Sequence, residues 1–298
     1  MSGRPWSVMV GALRARRSVI AVLIAAVAGM AGCGGSGTGT SDDSLSGGVA
    51  DTRAYYQILD LTSGRVSTRG AISDLVSNPV YRTTKLVFRL VDLGSGTIGT
   101  GASGLGATLD PAAGSVSTAP FYLAVFETTQ AQWQLLAGSS PWAQLSSLDG
   151  SDDVRIGDSY PAMGLSHDLV TSSLQAYRGS HHVRLGLPSD GQWELACRGG
   201  GGGTWSWGDT ADATTVAASA VVWETAGTVR GARPVAERAP SALGFYDLHG
   251  NVWELTNGTT VRGGSWNDPV TTARAAHRAT IDPLTRHLLV GARLVYEP

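Results

Sequence analysis

Two carboxylates, Asp247 and Glu254, bracket Gly250 within eight residues of this 298-residue chain. Hard oxygen donors gathered so closely suit Ca²⁺, although spacing alone favours an ordinary solvated acidic loop. Farther on, His277 stands among Arg262, Arg274, Arg278, Arg293 and Asp282. A histidine can exchange protons near neutral pH, but no nucleophile or second ligand accompanies this one. Cysteine chemistry is restricted, because Cys33 and Cys197 are the only two thiols. Cys197 falls on the apolar stripe of an expected helix and reads as a small core residue. The pair His181-His182 has too little around it for a metal site. GxSxG, HExxH and CxxC motifs are all missing. The glycine run from Gly199 to Gly203 follows a helix instead of preceding one, which excludes a phosphate cradle.

The elements that must position these residues are short. Charged residues make up only 15% of the chain while glycine numbers 40, so turns and loops should dominate over long charged helices. Ala54 to Asp60 and Lys85 to Val91 alternate or cluster β-branched and aromatic residues as strands do, with turn residues between them. Phe121 to Gly138 reads as a strand entering a helix: Thr129 caps it, Gln132 reciprocates, and Gly138 suits the left-handed stop. A second helix is expected from Asp168 to Tyr177, capped by Ser166 and ended by Gly179. A third starts after Ser189, with Gln192 at the capping-box position, Trp193, Ala196 and Cys197 on one face, and Gly199 closing it. Gly191 weakens its first turn by roughly 1 kcal/mol relative to Ala. Beyond it the periodicity dissolves into loops carrying Trp205, Trp207, Trp223 and Trp253, and such loops usually carry function.

The amino terminus reads as an export signal over residues 1–32. Arg4, Arg14, Arg16 and Arg17 precede an apolar run from Val19 to Val27, and Ala31-Gly32-Cys33 forms a lipobox. The run is shorter than the roughly 18 residues that span a bilayer. Cleavage before Cys33 would make that thiol the site of lipidation, leaving Cys197 as the lone thiol of an exported domain. Residues 33–51 are Gly/Ser/Thr-rich and read as a flexible tether, residues 52–84 as a small β-rich lead-in, and residues 85–298 as the main domain. Removing the signal takes four of 22 basic residues and no acidic ones, leaving 18 against 24 acidic. Such a balance offers nucleic acid no attraction. The expected location is the cell envelope, tethered to the membrane through a lipid.

LPSDGQWELACRGG (187–200), GFYDLHGNVWEL (244–255) and RGGSW (262–266) together resemble the signatures of the formylglycine-generating enzyme family, also called the sulfatase-modifying-factor domain. FYLAVFETTQAQW (121–133) is similar to a further segment of that family. The resemblance covers about Lys85 to Val295. It implies an α+β, loop-rich, C-type-lectin-like fold, and a structural calcium held by Asp247, Glu254 and the main chains of Gly250 and Val252. A second family calcium site would fall at Val221-Val222-Trp223, where a side-chain ligand is lost, and is not expected. In catalytic members two thiolates bind copper(I) just after RGGSW. Here those places hold Asp268 and Ala273, which cannot replace soft ligands, so copper is not expected. Trp266, Asp268 and His277 are left as the candidates to line a cleft.

Two functions follow. The first is a non-catalytic, membrane-tethered binding module that offers its tryptophan-rich loops to a peptide, glycan or envelope-protein ligand. The alternative is a formylglycine-generating-type oxidoreductase acting on cysteines of sulfatases or other proteins. The lost thiolates favour the first.

Overall fold

The structure, a computed structural model, describes residues 55–99, 110–148 and 152–298. The expected signal, Cys33 and the tether lie outside them. Among the described residues, no helix is long and apolar enough to cross a membrane.

β1 (Tyr56–Asp60) and β2 (Val66–Arg69) form a hairpin, and β1 pairs antiparallel with β3 (Lys85–Val91). The lead-in strands therefore extend the sheet of the main domain, with no break at residue 85. β6 (Phe121–Ala124), β12 (Val295–Glu297) and β7 (Arg184–Gly186) complete six antiparallel strands in the order β2-β1-β3-β6-β12-β7. Leu86, Val87 and Phe88 of β3 are all buried, which explains why that strand reads as an apolar run instead of an alternation: both faces of the sheet are covered.

α1 (Gln130–Ala137) and α2 (His167–His181) bring Trp133, Val170 and Leu174 into a cluster with Leu86, Phe88 and Ala124. α3 (Asp190–Arg198) brings Trp193, Ala196 and Cys197 against Leu123 and Val295 in a second cluster. The caps of α1 and α3 are as expected. Thr129 and Ser189 each form a full capping box with a glutamine, and Gly138 and Gly199 end the helices with φ of 63° and 58°. α2 runs past Gly179 and stops at His182, φ 57°. Its extra turn is held because the Tyr177 hydroxyl donates to Leu61 O at 2.9 Å while the ring stacks on His181. Gly191 has a packing reason: a Cβ there would lie 2.8 Å from Val116 Cγ2, on the two-stranded ladder of β4 (Ser95–Ile98) and β5 (Gly114–Ser117) that covers α3.

The region after α3 is not all loop. α4 (Ala213–Ser219) is capped by Asp212, whose carboxylate accepts the N–H groups of Thr214 and Thr215. A second sheet then joins β8 (Trp253–Leu255), β9 (Thr260–Arg262), β10 (Arg278–Thr280) and β11 (Val290–Gly291) in the order β10-β9-β8-β11. Of the four loop tryptophans, Trp205 and Trp253 are buried, Trp207 stacks on Trp205 with ring centroids 5.6 Å apart, and Trp223 alone is exposed, at 48%.

Candidate functional site

All three residues of β8 are buried, so the strand carries Glu254 into the core. Both oxygens of that carboxylate accept from Arg293, at 2.7 to 3.0 Å, and Oε2 also accepts the Trp193 indole N–H at 2.5 Å. Arg293 donates its remaining hydrogens to Ala124 O, Val125 O and Tyr246 O. The guanidinium thus ties β8, β6 and the 244–250 loop together. Two more buried carboxylates share this cation. Glu127 accepts from Asn251 Nδ2 at 2.6 Å and from Val252 N at 3.1 Å; Asp247 accepts from Ala236 N at 2.7 Å. Burial pushes Glu127 well above the usual carboxylate range, with the charges of Asp247 and Glu254 adding to the rise. Burial likewise takes Asp247 up to about 6, against the pull of the Ala236 N–H and Arg293. Burial opposes the charge on Arg293, yet Glu254, Glu127 and Asp247 together hold its pKa above the ordinary value.

The backbone here is specialised. Asp247 and Asn251 adopt left-handed φ of 59° and 58°, a region that Asp and Asn enter more readily than most residues. Gly250 has φ 88°, and a Cβ on it would lie 2.1 Å from Val221 O, so only glycine fits. For calcium, the donor chemistry and the surplus of buried carboxylate suit a divalent cation. Four donor contacts, however, saturate the lone pairs of Glu254, so its side chain does not fit as a ligand in this arrangement. Among the described residues no group of three or more His, Cys, Asp or Glu side chains is placed to hold a metal ion.

The thiolate positions are closed. Asp268 is 6% exposed and its Oδ2 accepts from the Trp253 indole at 2.8 Å and the Ser265 hydroxyl at 2.5 Å. Burial pushes its pKa up, while those two donors oppose the shift. Ala273 is fully buried beside Trp205 and Val222. Trp266 is also fully buried, with the Arg230 guanidinium 5.4 Å from its ring centre and stacked 3.6 Å from that of Trp223. Cys197 is no replacement thiolate. Burial, then the nearby Glu194 charge, pushes its thiol far up, and its Sγ lies 3.5 Å from His249 Nε2. That nitrogen accepts the Ser206 N–H, which leaves Nδ1 to donate to Ala273 O at 2.7 Å. Burial takes His249 down to about 4, so both partners are neutral near neutral pH.

His277 sits in a buried ion cluster. Asp110 accepts two bonds from Arg274, both 2.7 Å, and lies 2.9 Å from His277 Nδ1. Burial pushes Asp110 up, but the bonds from His277 and Arg274 outweigh it and hold the carboxyl below its usual value. Arg262 bridges Asp190 and Glu194, each at 2.7 Å, and Arg278 also reaches Asp190. Each arginine singled out in the sequence is therefore ion-paired. Asp282 does something smaller: it accepts the N–H of Leu284 in an exposed turn. Of the four calcium-loop residues, Glu254 binds Arg293 directly and Asp247 feels its charge, while Gly250 lies against Val221 and Val252 N donates to Glu127. Trp266, Asp268 and His277 are brought near Trp253, but as buried groups. The contributions of Glu127 and Asp110 were missed, since each lies over 120 residues from its partners.

Comparison with solved structures finds the same fold at low identity. PvdO from Pseudomonas aeruginosa superimposes with a TM-score of 0.62 at 20% identity, covering 71% of this chain and 94% of that one. Treponema denticola variable protein 1 gives 0.59 at 18%, covering 72% and 96%. CarF gives 0.52 at 21%, covering 71% and 98%. Among curated protein sequences none matches. The sulfatase-modifying factor enzyme 1-like domain matches residues 81–298. That match takes in both sheets from β3 onward and every motif around Arg293, so this α+β, C-type-lectin-like chain belongs to the sulfatase-modifying-factor, or formylglycine-generating enzyme, domain family.

Proposed function

We infer that this protein is a non-catalytic binding module on the sulfatase-modifying-factor scaffold, exported and tethered to the membrane through a lipid on Cys33. One observation carries the reading: the two thiolate positions hold Asp268 and Ala273, both buried, with the Asp268 carboxylate already satisfied by Trp253 and Ser265. The ligand face is the exposed Trp223 ring with its stacked Arg230, flanked by Val229 at 51% exposure and Ile156 at 70%. The two loops that carry this patch are joined by the Arg155 side chain, which donates twice to Arg230 O. Aromatic and arginine side chains are the residue types that anchor recognition surfaces, and a peptide, glycan or envelope protein is the class of ligand.

The deciding experiment incubates purified protein with a cysteine-containing sulfatase peptide, copper and oxygen. The peptide should emerge unchanged; formylglycine would refute the reading and restore an oxidoreductase. Calcium belongs to the same proposal. Asp247 and the Gly250 and Val252 carbonyls would hold it, and Glu254 could join only by giving up a contact to Arg293 or Trp193. Chelation should then lower the melting temperature and excess Ca²⁺ restore it, a response that Asp247→Ala abolishes. A parent protein indifferent to chelator would remove calcium from the proposal.

A further inference from the structure

At the carboxyl end of α2, away from the Trp223 patch, a cleft of about 620 Å³ is lined by Gln175, Arg178, Gly179, His182 and Arg184. Its lining includes no carboxylate, in a chain whose acidic residues outnumber its basic ones. Gln175 lies three residues before Arg178 and four before Gly179, and His182, the C-cap, lies four after Arg178, so all four gather at the end of α2. Arg184 enters from β7, the edge strand. There it donates to Pro298 O, and Glu297 is its register partner on β12. Among the described residues Arg178 has no ion-pair partner within 4.0 Å, whereas Arg184 is engaged by the Pro298 oxygen.

Gly179 supplies the second observation. Inside a helix, glycine costs roughly 0.5–1 kcal/mol relative to alanine, and a close neighbour usually explains it. Here a Cβ would meet nothing within 4 Å, and the backbone does not adopt positive φ. Packing therefore does not require this glycine; it keeps the floor of the cleft bare between Gln175 and His182. The carbonyl end of α2 contributes roughly half a negative charge, less than the two guanidiniums that face it. Two arginines line the cleft, and Arg is the side chain whose planar fork best matches phosphate-type oxygens.

We propose that this cleft binds a tetrahedral oxyanion of the phosphate class, gripped by Arg178 and Arg184 over the bare backbone at Gly179. The claim is independent of the binding-module reading, because it concerns a different face. Titration of the full-length protein with inorganic phosphate, followed by calorimetry, tests it. The parent should show saturable binding that weakens as salt screens the charges. The double variant Arg178→Gln/Arg184→Gln should weaken binding at least about tenfold, through loss of two charge-assisted contacts. Gly179→Leu should weaken it at least about fivefold with every charge in place, because the side chain fills the floor. Circular dichroism would check that both variants keep the parental fold. Phosphate binding that does not saturate, or that survives either variant unchanged, overturns the proposal. Glycerol 1-phosphate distinguishes the source: tighter binding than phosphate identifies an esterified headgroup, and equal binding a free anion.

Discussion

Replacing Arg293 by methionine should cost at least about 4 kcal/mol of stability, and the structure sets the size of the effect. The guanidinium is fully buried, pairs with Glu254 at 2.7 to 3.0 Å, and satisfies the carbonyls of Ala124, Val125 and Tyr246. Removing one partner of a buried pair costs about 3–5 kcal/mol, and an unsatisfied buried carbonyl about 1–3 kcal/mol more. With even one carbonyl left unpaired, the loss approaches or exceeds the low end of the 5–15 kcal/mol that typically stabilises a folded protein. The substitution also leaves Glu254, Glu127 and Asp247 buried together without their shared cation. Arg293→Lys keeps the charge but not the fork, and should cost about 2–4 kcal/mol, low enough to measure. The decisive variant is Glu254→Gln/Arg293→Met. If uncompensated charge is the main penalty, removing the carboxylate should recover about 3 kcal/mol of the single-variant loss in a double-mutant cycle by equilibrium urea denaturation. A single variant that folds with less than about 1.5 kcal/mol lost, or a double variant no more stable than Arg293→Met, would refute this account.

Three further outcomes are expected. With chelator present, stability should fall as pH rises from about 4 to 6. Asp247 titrates near 6 in the folded protein against about 3.9 when unfolded, so the folded state holds its proton more tightly; the advantage is complete below pH 4 and lost through pH 6, a loss of roughly 3 kcal/mol. Asp247→Asn keeps an acceptor for Ala236 N and should flatten that part of the stability profile; an unchanged slope counts against the assignment. Cys197, 1% exposed with its thiol pushed up by burial, should resist a thiol reagent until the protein is unfolded in urea. Rapid labelling of the native protein would contradict its burial. Gly250→Ala should yield little soluble protein, because its Cβ would overlap Val221 O and the residue would hold φ 88°. Normal expression with an unshifted melting temperature would contradict the clash.

Helix boundaries were legible where a side chain both starts and closes the local geometry. Thr129 with Gln132 and Ser189 with Gln192 form the expected boxes because the capping bonds span only three residues. β3 was legible for a different reason, as an apolar run covered on both faces. α2 runs past Gly179, which looks like a stop, because tertiary contacts of Tyr177 hold another turn. α4 went unnoticed although Asp212 announces it; its one buried residue, Val216, leaves almost no periodic stripe. The loop tryptophans show the same limit. Sequence alone reports that aromatic residues lie in loops, but whether they face inward depends on partners such as Asp268 for Trp253 and Val270 O for Trp205.

What the shared motifs preserve is a set of long-range locks. Arg293 meets Glu254 across 39 residues, Arg262 meets Glu194 across 68, and Arg274 meets Asp110 across 164. In a fold with few long elements, hydrophobic burial places segments only loosely, because it is non-directional; directional arginine–carboxylate bonds supply the missing geometry. GNVWE and RGG persist in this role. Glu254 receives Arg293, Gly250 allows close approach to Val221, and Gly264 at φ 76° lets its backbone reach Ala273. None of these contacts needs a thiolate at 268 or 273, so retention of the motifs carries no information about catalysis. Asp268 makes the point locally. A bare carboxylate in that buried position would be costly, yet Ser265 and Trp253 satisfy it from within the family's own RGGSW and GNVWE segments. The scaffold thereby accommodates a buried carboxylate at 268 with both of its donors supplied from inside the fold.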